Sequence, residues 1–237
     1  MAKSVLLLWL EGPMQSWGTR SRWDPRDTSL EPTKSGIIGL IGCAMGRERG
    51  HPELERLDGD LIFGVRIDRP GVVSTDFHTV TGYHRTAAGE FKHSGGTAKS
   101  LAKAMEHGES TIVSPRDYLH DAVFLVVLQA SRERVQLIRD ALAAPRWPLF
   151  LGRKGCPPAR PLLDRSPNEF SDLKAALEQR ARHLRSAQQG KLAAYIEDAR
   201  GDLERQDALR LNPLRMYDFR RCQYLEVDPP CTSLVSH

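Results

Sequence analysis

Lys34 lies between two hydroxyl residues, in Pro32-Thr33-Lys34-Ser35-Gly36, where an apolar, glycine-bearing stretch begins. Proline and threonine are residues with which helices open, and Thr33 is a candidate N-cap. A cation in the first turn opposes the helix dipole, at a cost of about 0.3–1 kcal/mol unless an anion sits there too. One reading is a helix N-terminus offered to a phosphate. The other is a routinely capped core helix with an idle lysine. Two further glycine-bearing loops hold cations or aromatics. One is Gly12–Gly18, with Gln15 and Trp17, running into Arg20, Arg22, Trp23 and Arg26; the other is the Gly152-Arg153-Lys154-Gly155 turn. Glycine lets a backbone N–H approach a phosphate closely, while Arg and Lys supply the charge. Trp17, Trp23 and Tyr83 have the ring faces on which unpaired bases stack. Against this stand two commoner fates: a Trp between small residues is often core, and scattered arginines often form a solvated face.

Enzymatic chemistry is less well supported. TKSG at 33–36 is not a P-loop, and neither HExxH nor GxSxG occurs. No catalytic residue, metal ligand set or cofactor fingerprint is assigned. His78 and His84 are possible general acid–base groups, with Tyr118 or Lys92 as assistants; a metal-independent ribonuclease needs little more. His120 and His183 have no evident partners. The plain alternative for His78 is a satisfied histidine in or beside a strand.

These loops need elements to carry them. Val5–Leu10 reads as a central, buried strand, and 33–46 as a helix with Ile37, Leu40, Ile41 and Ala44 on one stripe. Gly39, Gly42 and Gly46 line a neighbouring face, which suggests a helix lying close on its sheet. A short helix is expected near Pro52–Leu57, a strand at Leu61–Asp68, a turn at Pro70-Gly71 and β structure at Val72–Thr81. Gly82–Pro115 is polar and Gly/Ser/Thr/Lys-rich, an excursion out of the domain, with a helical tendency at Ala98–Met105. Asp121–Ala130 is the strongest strand, and Ser131 caps a helix over Glu133–Ala143. From Ser166 to about Leu211 the chain is highly charged with patchy helical spacing, a solvated helical appendage. Leu214–Val227 returns to β. Without the excursion, the order is the β-α-β-β-α-β of a ferredoxin-like (RRM-like) split βαβ fold, an α+β architecture. The domain expected at 1–163 includes an excursion at 83–114; a smaller C-terminal region, helical then β, fills 164–237.

The composition is that of an ordinary globular chain: 237 residues, 40% hydrophobic, 27% charged, net charge +4. A pI near 9.0 is compatible with an anionic partner without requiring one. Six apolar residues, Val5–Leu10, are too few for a secretory core or a membrane span. Cys43, Cys156, Cys222 and Cys231 show no CxxC spacing and suit free thiols in a reducing cytoplasm.

Gly12-Pro13-Met14-Gln15-Ser16-Trp17-Gly18, then Thr33-Lys34-Ser35-Gly36 running into Gly39-Leu40-Ile41-Gly42, with Asp76-Phe77-His78-Thr79-Val80 and Phe150–Pro157, together resemble the CasD family of type I-E CRISPR Cascade subunits, in the RAMP group. The order and spacing agree across 4–162, and more loosely beyond. The resemblance implies a ferredoxin-like domain with a protruding thumb, mapped to 83–114 and longer here than the family pattern. It implies a cytoplasmic, non-catalytic subunit that holds the 5′ handle of CRISPR RNA, caps the backbone filament and supports target DNA recognition in antiviral defence. CasA-type and CasC-type subunits would be its protein partners. Carried over by position, the RNA-binding set is Gln15, Trp17, Arg22, Thr33, Lys34, Ser35, His78, Arg153 and Lys154. Lys34, Arg153 and Lys154 are placed on phosphates, with Ser35 and Gln15 as hydrogen-bond donors. Relatives in the I-C subtype are endonucleases, which keeps precursor-RNA processing as the alternative.

Overall fold

The computed structural model describes residues 3–19, 26–81, 84–85, 91–92, 111–165, 170–186, 189–211 and 216–231. Strand β1 (Lys3–Glu11) is followed by a two-residue strand, β2 (Met14–Gln15), then helices α1 (Lys34–Ala44) and α2 (Pro52–Asp60). Strands β3 (Ile62–Arg69) and β4 (Val72–Thr81) come next, then the short pair β5 (His84–Arg85) and β6 (Phe91–Lys92). They are followed by β7 (Thr111–His120), β8 (Val123–Ser131), α3 (Arg132–Ala143), α4 (Leu173–Gln179), β9 (Leu192–Glu197), β10 (Leu203–Arg210) and β11 (Met216–Val227). The molecule is α+β. Its main antiparallel sheet runs β1-β8-β3-β9-β11-β10, and a second sheet runs β2-β7-β4.

Residue patterns explain these choices. β1 and β8 are near-continuous apolar runs because both their faces are covered. Leu6, Leu8, Leu10, Phe124, Val126 and Leu128 meet α1, α2 and α3, while Leu7, Trp9, Val123, Leu125 and Val127 meet Leu173, Ala176 and Leu177 of α4. Thr33 and Ser131 cap their helices as their positions suggest, accepting from Gly36 N–H (3.2 Å) and Arg134 N–H (3.3 Å). Gly46, at φ +66°, ends α1.

β1-α1-β3 is split by β8, which gives the ferredoxin-like start. The fourth strand departs from expectation. The expected late strand, β11, lies on the far side of β3, and the place beside β1 is taken by a single bridge at Leu163. Two bonds fix it: Trp9 N–H to Leu162 O at 2.8 Å and Asp164 N–H to Leu7 O at 3.0 Å. Among the described residues, the charged region after 165 is helical only at Leu173–Gln179. Its later segments are β9 and β10, which join the same sheet through β3. Arg66, fully buried, anchors this addition: it pairs with Asp68 (2.7 and 3.0 Å) and donates to the carbonyls of Leu177, Arg180 and Ala181.

The excursion grows from one bent ribbon. β3 pairs with β8 and β4 with β7; the register shifts by one residue between Ile67 and Arg69, after which Arg69 faces Val123 and Val72 faces His120, so the new register is kept through the bend. Pro70-Gly71 and Asp121-Ala122 form the bend. A Cβ on Gly71 would come within 2.7 Å of His120 O, and Asp121 has a positive φ of 61°. Residues 111–120 therefore belong to a ten-residue strand, although 111–114 were expected to be thumb. Pro115 hid this strand. Its carbonyl accepts from Arg26 N–H at 3.1 Å, on the side away from β4, so the missing proline N–H removes nothing from the β4–β7 ladder. The helical tendency at Ala98–Met105 lies outside the described residues.

Candidate nucleic-acid interface

The N-terminus of α1 has its anion, and the protein supplies it. Lys34 N–H donates to Asp207 Oδ2 at 2.7 Å, and its ammonium donates to Glu197 Oε1 at 3.0 Å, with Asp58 Oδ2 3.8 Å away. Arg220 makes a two-pronged pair with Asp207, at 2.6 and 3.0 Å. Lys34 is only 3% exposed. The place first considered for an RNA phosphate is thus filled from within, by the C-terminal strands. Burial pushes the Asp58 carboxyl above its ordinary value, with Lys34 pulling the other way. Desolvation works against the Arg220 charge, but Asp207 outweighs it and holds that pKa up.

Gln15 and Trp17 are also internal. Trp17 Nε1–H donates to Gln15 Oε1 at 3.1 Å, and Gln15 Nε2 donates to the carbonyls of Leu10 (3.2 Å) and Ala122 (2.9 Å). Both side chains are fully buried. They tie the 12–18 loop to the ribbon base, and neither a free amide nor a free ring face remains for a base. The α1 glycines serve this packing more than the sheet. A Cβ on Gly36 would sit 2.9 Å from the Trp17 ring, and one on Gly42 would collide with Leu54 of α2. Gly39 is different: a Cβ there would meet nothing within 4 Å.

At the ribbon base a polar surface gathers. Gly152 turns the chain at φ +86°, so close to Ser16 O that no side chain fits. That turn aims Arg153 at β7. Its guanidinium donates to Asp117 O (3.1 Å), Arg26 O (3.0 Å) and Asp27 O (3.3 Å), and lies 4.7 Å from the Tyr118 ring centroid. The Tyr118 hydroxyl is 2.9 Å from His78 Nε2, which is 3.0 Å from Asp76 Oδ2. Lys154, the next residue in the turn, is exposed. So the structure links Arg153 to His78 through Tyr118, with Asp76 and Arg116 on the same ribbon, while Lys154 lies toward Cys43 of α1. Thr33 is occupied as a cap; Arg22 lies outside the described residues. His120 bonds Ser74 Oγ at 2.6 Å, and His183 pairs with Glu11 at 3.2 Å.

Ser35 opens onto a separate feature, a groove of about 860 Å³ between α1 and the 147–157 segment. Ser35, Gly39, Leu40 and Cys43 line one wall, Trp147, Leu149 and Phe150 the other, and Lys154, Arg47 and Arg49 stand at its margin. The Cys43 thiol, raised by burial against the pull of Lys154, donates to Pro148 O at 3.3 Å. Trp147 and the Arg47/Arg49 pair match no motif; the one sequence signal for them is the Gly46-Arg47-Glu48-Arg49-Gly50 run directly after α1. Among the described residues there is no cluster of His, Cys, Asp or Glu placed to hold a metal, and no helix long and apolar enough to cross a membrane.

The class is thus an α+β protein with a split βαβ sheet, a bent ribbon rising from its second hairpin and a cation-bearing loop at the ribbon's base. The family model for CRISPR-associated protein (Cas_Cas5) matches residues 5–222. The chain belongs to that family. It is 33% identical over 172 residues to the CRISPR system Cascade subunit CasD of Escherichia coli (strain K12), covering 68% of this chain and 70% of that one. A chain in a structure of a CRISPR RNA-guided surveillance complex superposes with a TM-score of 0.72 at 34% identity, over 96% of this chain and 91% of the other. A second solved structure, a Cas protein, gives 0.68 at 30% identity over 96% and 98%.

Proposed function

We propose that this chain is a non-catalytic RNA-binding subunit of a CRISPR surveillance (Cascade) complex, cytoplasmic, which holds the 5′ handle of CRISPR RNA and caps the backbone filament. The observation that carries the reading is the ribbon-base surface. Arg153, pinned to three carbonyls and stacked on Tyr118, which in turn meets His78, fixes the loop that presents the exposed Lys154. Lys154 neutralises a phosphate of the bent single strand, and His78 and Arg116 offer donors to its backbone. The likeness to a Cascade subunit supplies the context: CasA-type and CasC-type neighbours, and target DNA engaged through the RNA.

One observation favours a second reading, a metal-independent endoribonuclease that makes the handle. His78, Tyr118 and Asp76 form a hydrogen-bonded cluster at 2.9 and 3.0 Å, and His–Tyr pairs can move protons. Incubating the purified chain with repeat RNA in EDTA separates the two. Tight binding with intact RNA is the expected result. Site-specific cleavage that disappears in His78→Ala would overturn the scaffold reading.

A further inference from the structure

The groove along α1 is not explained by RNA binding. Its walls are Leu40, Leu54, Trp147, Leu149, Phe150 and Leu211, with Ser35 the one hydroxyl among the lining side chains. A nucleobase placed there would leave its edge donors and acceptors facing hydrocarbon, unpaired. Apolar side chains carry no such penalty. The glycine at 39 points the same way. An interior helix glycine is a cost to the fold, and Gly36 and Gly42 recover theirs in close packing. Gly39 recovers nothing within the chain, since a side chain there would stand in open space. With Ser35 and Cys43, one turn away on either side, it leaves the α1 backbone open to something that comes close.

We propose that this groove docks an amphipathic helix of a partner protein in the same assembly. That helix buries an apolar face against α1 and Trp147 and carries acidic residues where it crosses the margin. The charge balance selects that chemistry: the groove's margin has Arg47, Arg49 and Lys154 against one carboxylate, Glu48, and none of the three cations makes an ion pair among the described residues. Small residues at Ser35, Gly39 and Cys43 suit the close approach of a second helix, whose side-chain ridges fit between those of α1. This is the helix-in-groove mode of recognition. The inference rests on the proposed role as an assembly subunit; the groove shares Lys154, at its margin, with the proposed RNA contacts, and its walls are otherwise distinct from them.

The test uses the full chain co-expressed with the other subunits of its complex and CRISPR RNA. A benzophenone amino acid replaces Trp147, and the purified assembly is irradiated. The expected product is a covalent adduct to another subunit, mapping to a segment with apolar residues at helical spacing and acidic flanks. An adduct to RNA, an adduct between two copies of this chain, or no adduct from an RNA-loaded assembly would each overturn the docking proposal while leaving the RNA reading intact. A chain that enters no RNA-containing assembly overturns both. Gly39→Ala and Gly39→Leu give a second readout: the free chain melts at the same or a higher temperature, while Gly39→Leu lowers affinity for the adducted subunit at least tenfold. Unchanged affinity with raised stability would overturn the proposal.

Discussion

Asp207 Oδ2 accepts the backbone N–H of Lys34 at 2.7 Å, across 173 residues of sequence. A carboxylate on β10 therefore does for the N-terminus of α1 what a bound phosphate does elsewhere. The same carboxylate takes both prongs of Arg220, and the two side chains are 6% and 8% exposed. Asp207→Ala strands Arg220 in a dry site and removes the anion from the helix end. A loss of about 3–5 kcal/mol is expected, read as a lower urea midpoint at unchanged m-value. A loss under about 1 kcal/mol would mean that water reaches this pair and that it does not hold α1 to the C-terminal strands.

Lys34 and Lys154 should separate cleanly in RNA binding. Lys34→Met breaks a buried pair and lowers stability, but leaves the salt dependence of handle-RNA affinity unchanged. Lys154→Ala leaves the melting temperature unchanged and reduces the slope of log K against log salt by about 0.7, one phosphate contact on a single strand. Equal slopes for wild type and Lys154→Ala would remove this residue from the interface.

That contrast marks what the sequence made legible. Apolar runs and caps declared themselves locally: Val5–Leu10, the Thr33 and Ser131 caps, and the stripe of Val135, Ile138 and Leu142. The ribbon's second strand was concealed by Pro115, because the edge side on which that proline's nitrogen lies is fixed only by Arg26 docking there. The fate of Lys34 was concealed for a longer-range reason. Its partners Asp58, Glu197 and Asp207 come from α2, β9 and β10, and no spacing rule joins them to a helix N-terminus. Gln15 and Trp17 looked like ligand-binding types, but they satisfy one another and two core carbonyls instead. Arg153 and Lys154, adjacent in the chain, take opposite roles because the Gly152 turn aims the first inward and leaves the second in water.

Asp58 gives a pH signature. Burial raises its folded-state pKa above the ordinary 3.8, so the folded chain takes up this proton more readily than the unfolded chain. Its contribution to stability is therefore full below the unfolded value and is lost as pH rises through the raised folded value. Asp58→Asn removes that dependence. Denaturation of both proteins from pH 4 to pH 8 should show wild type losing stability relative to the variant as pH rises. Parallel curves would place Asp58 as an ordinary carboxylate.

The bent ribbon predicts where the excursion can be cut. Thr81 faces Thr111 at the last pair of the β4–β7 ladder. Below it, Tyr118 and Leu119 are buried in the main core. Replacing 83–109 with a short Gly/Ser turn should leave a folded chain whose melting temperature is within a few degrees of wild type, with target-strand engagement impaired in the assembled complex. Extending the deletion to 120 removes two core side chains, one of the three carbonyls that Arg153 holds (that of Asp117), and the partner strand of β2. It should abolish cooperative unfolding. A soluble, cooperatively folding product of the longer deletion would show that the second sheet is an appendage and that the Arg153 loop is held by something other than β7.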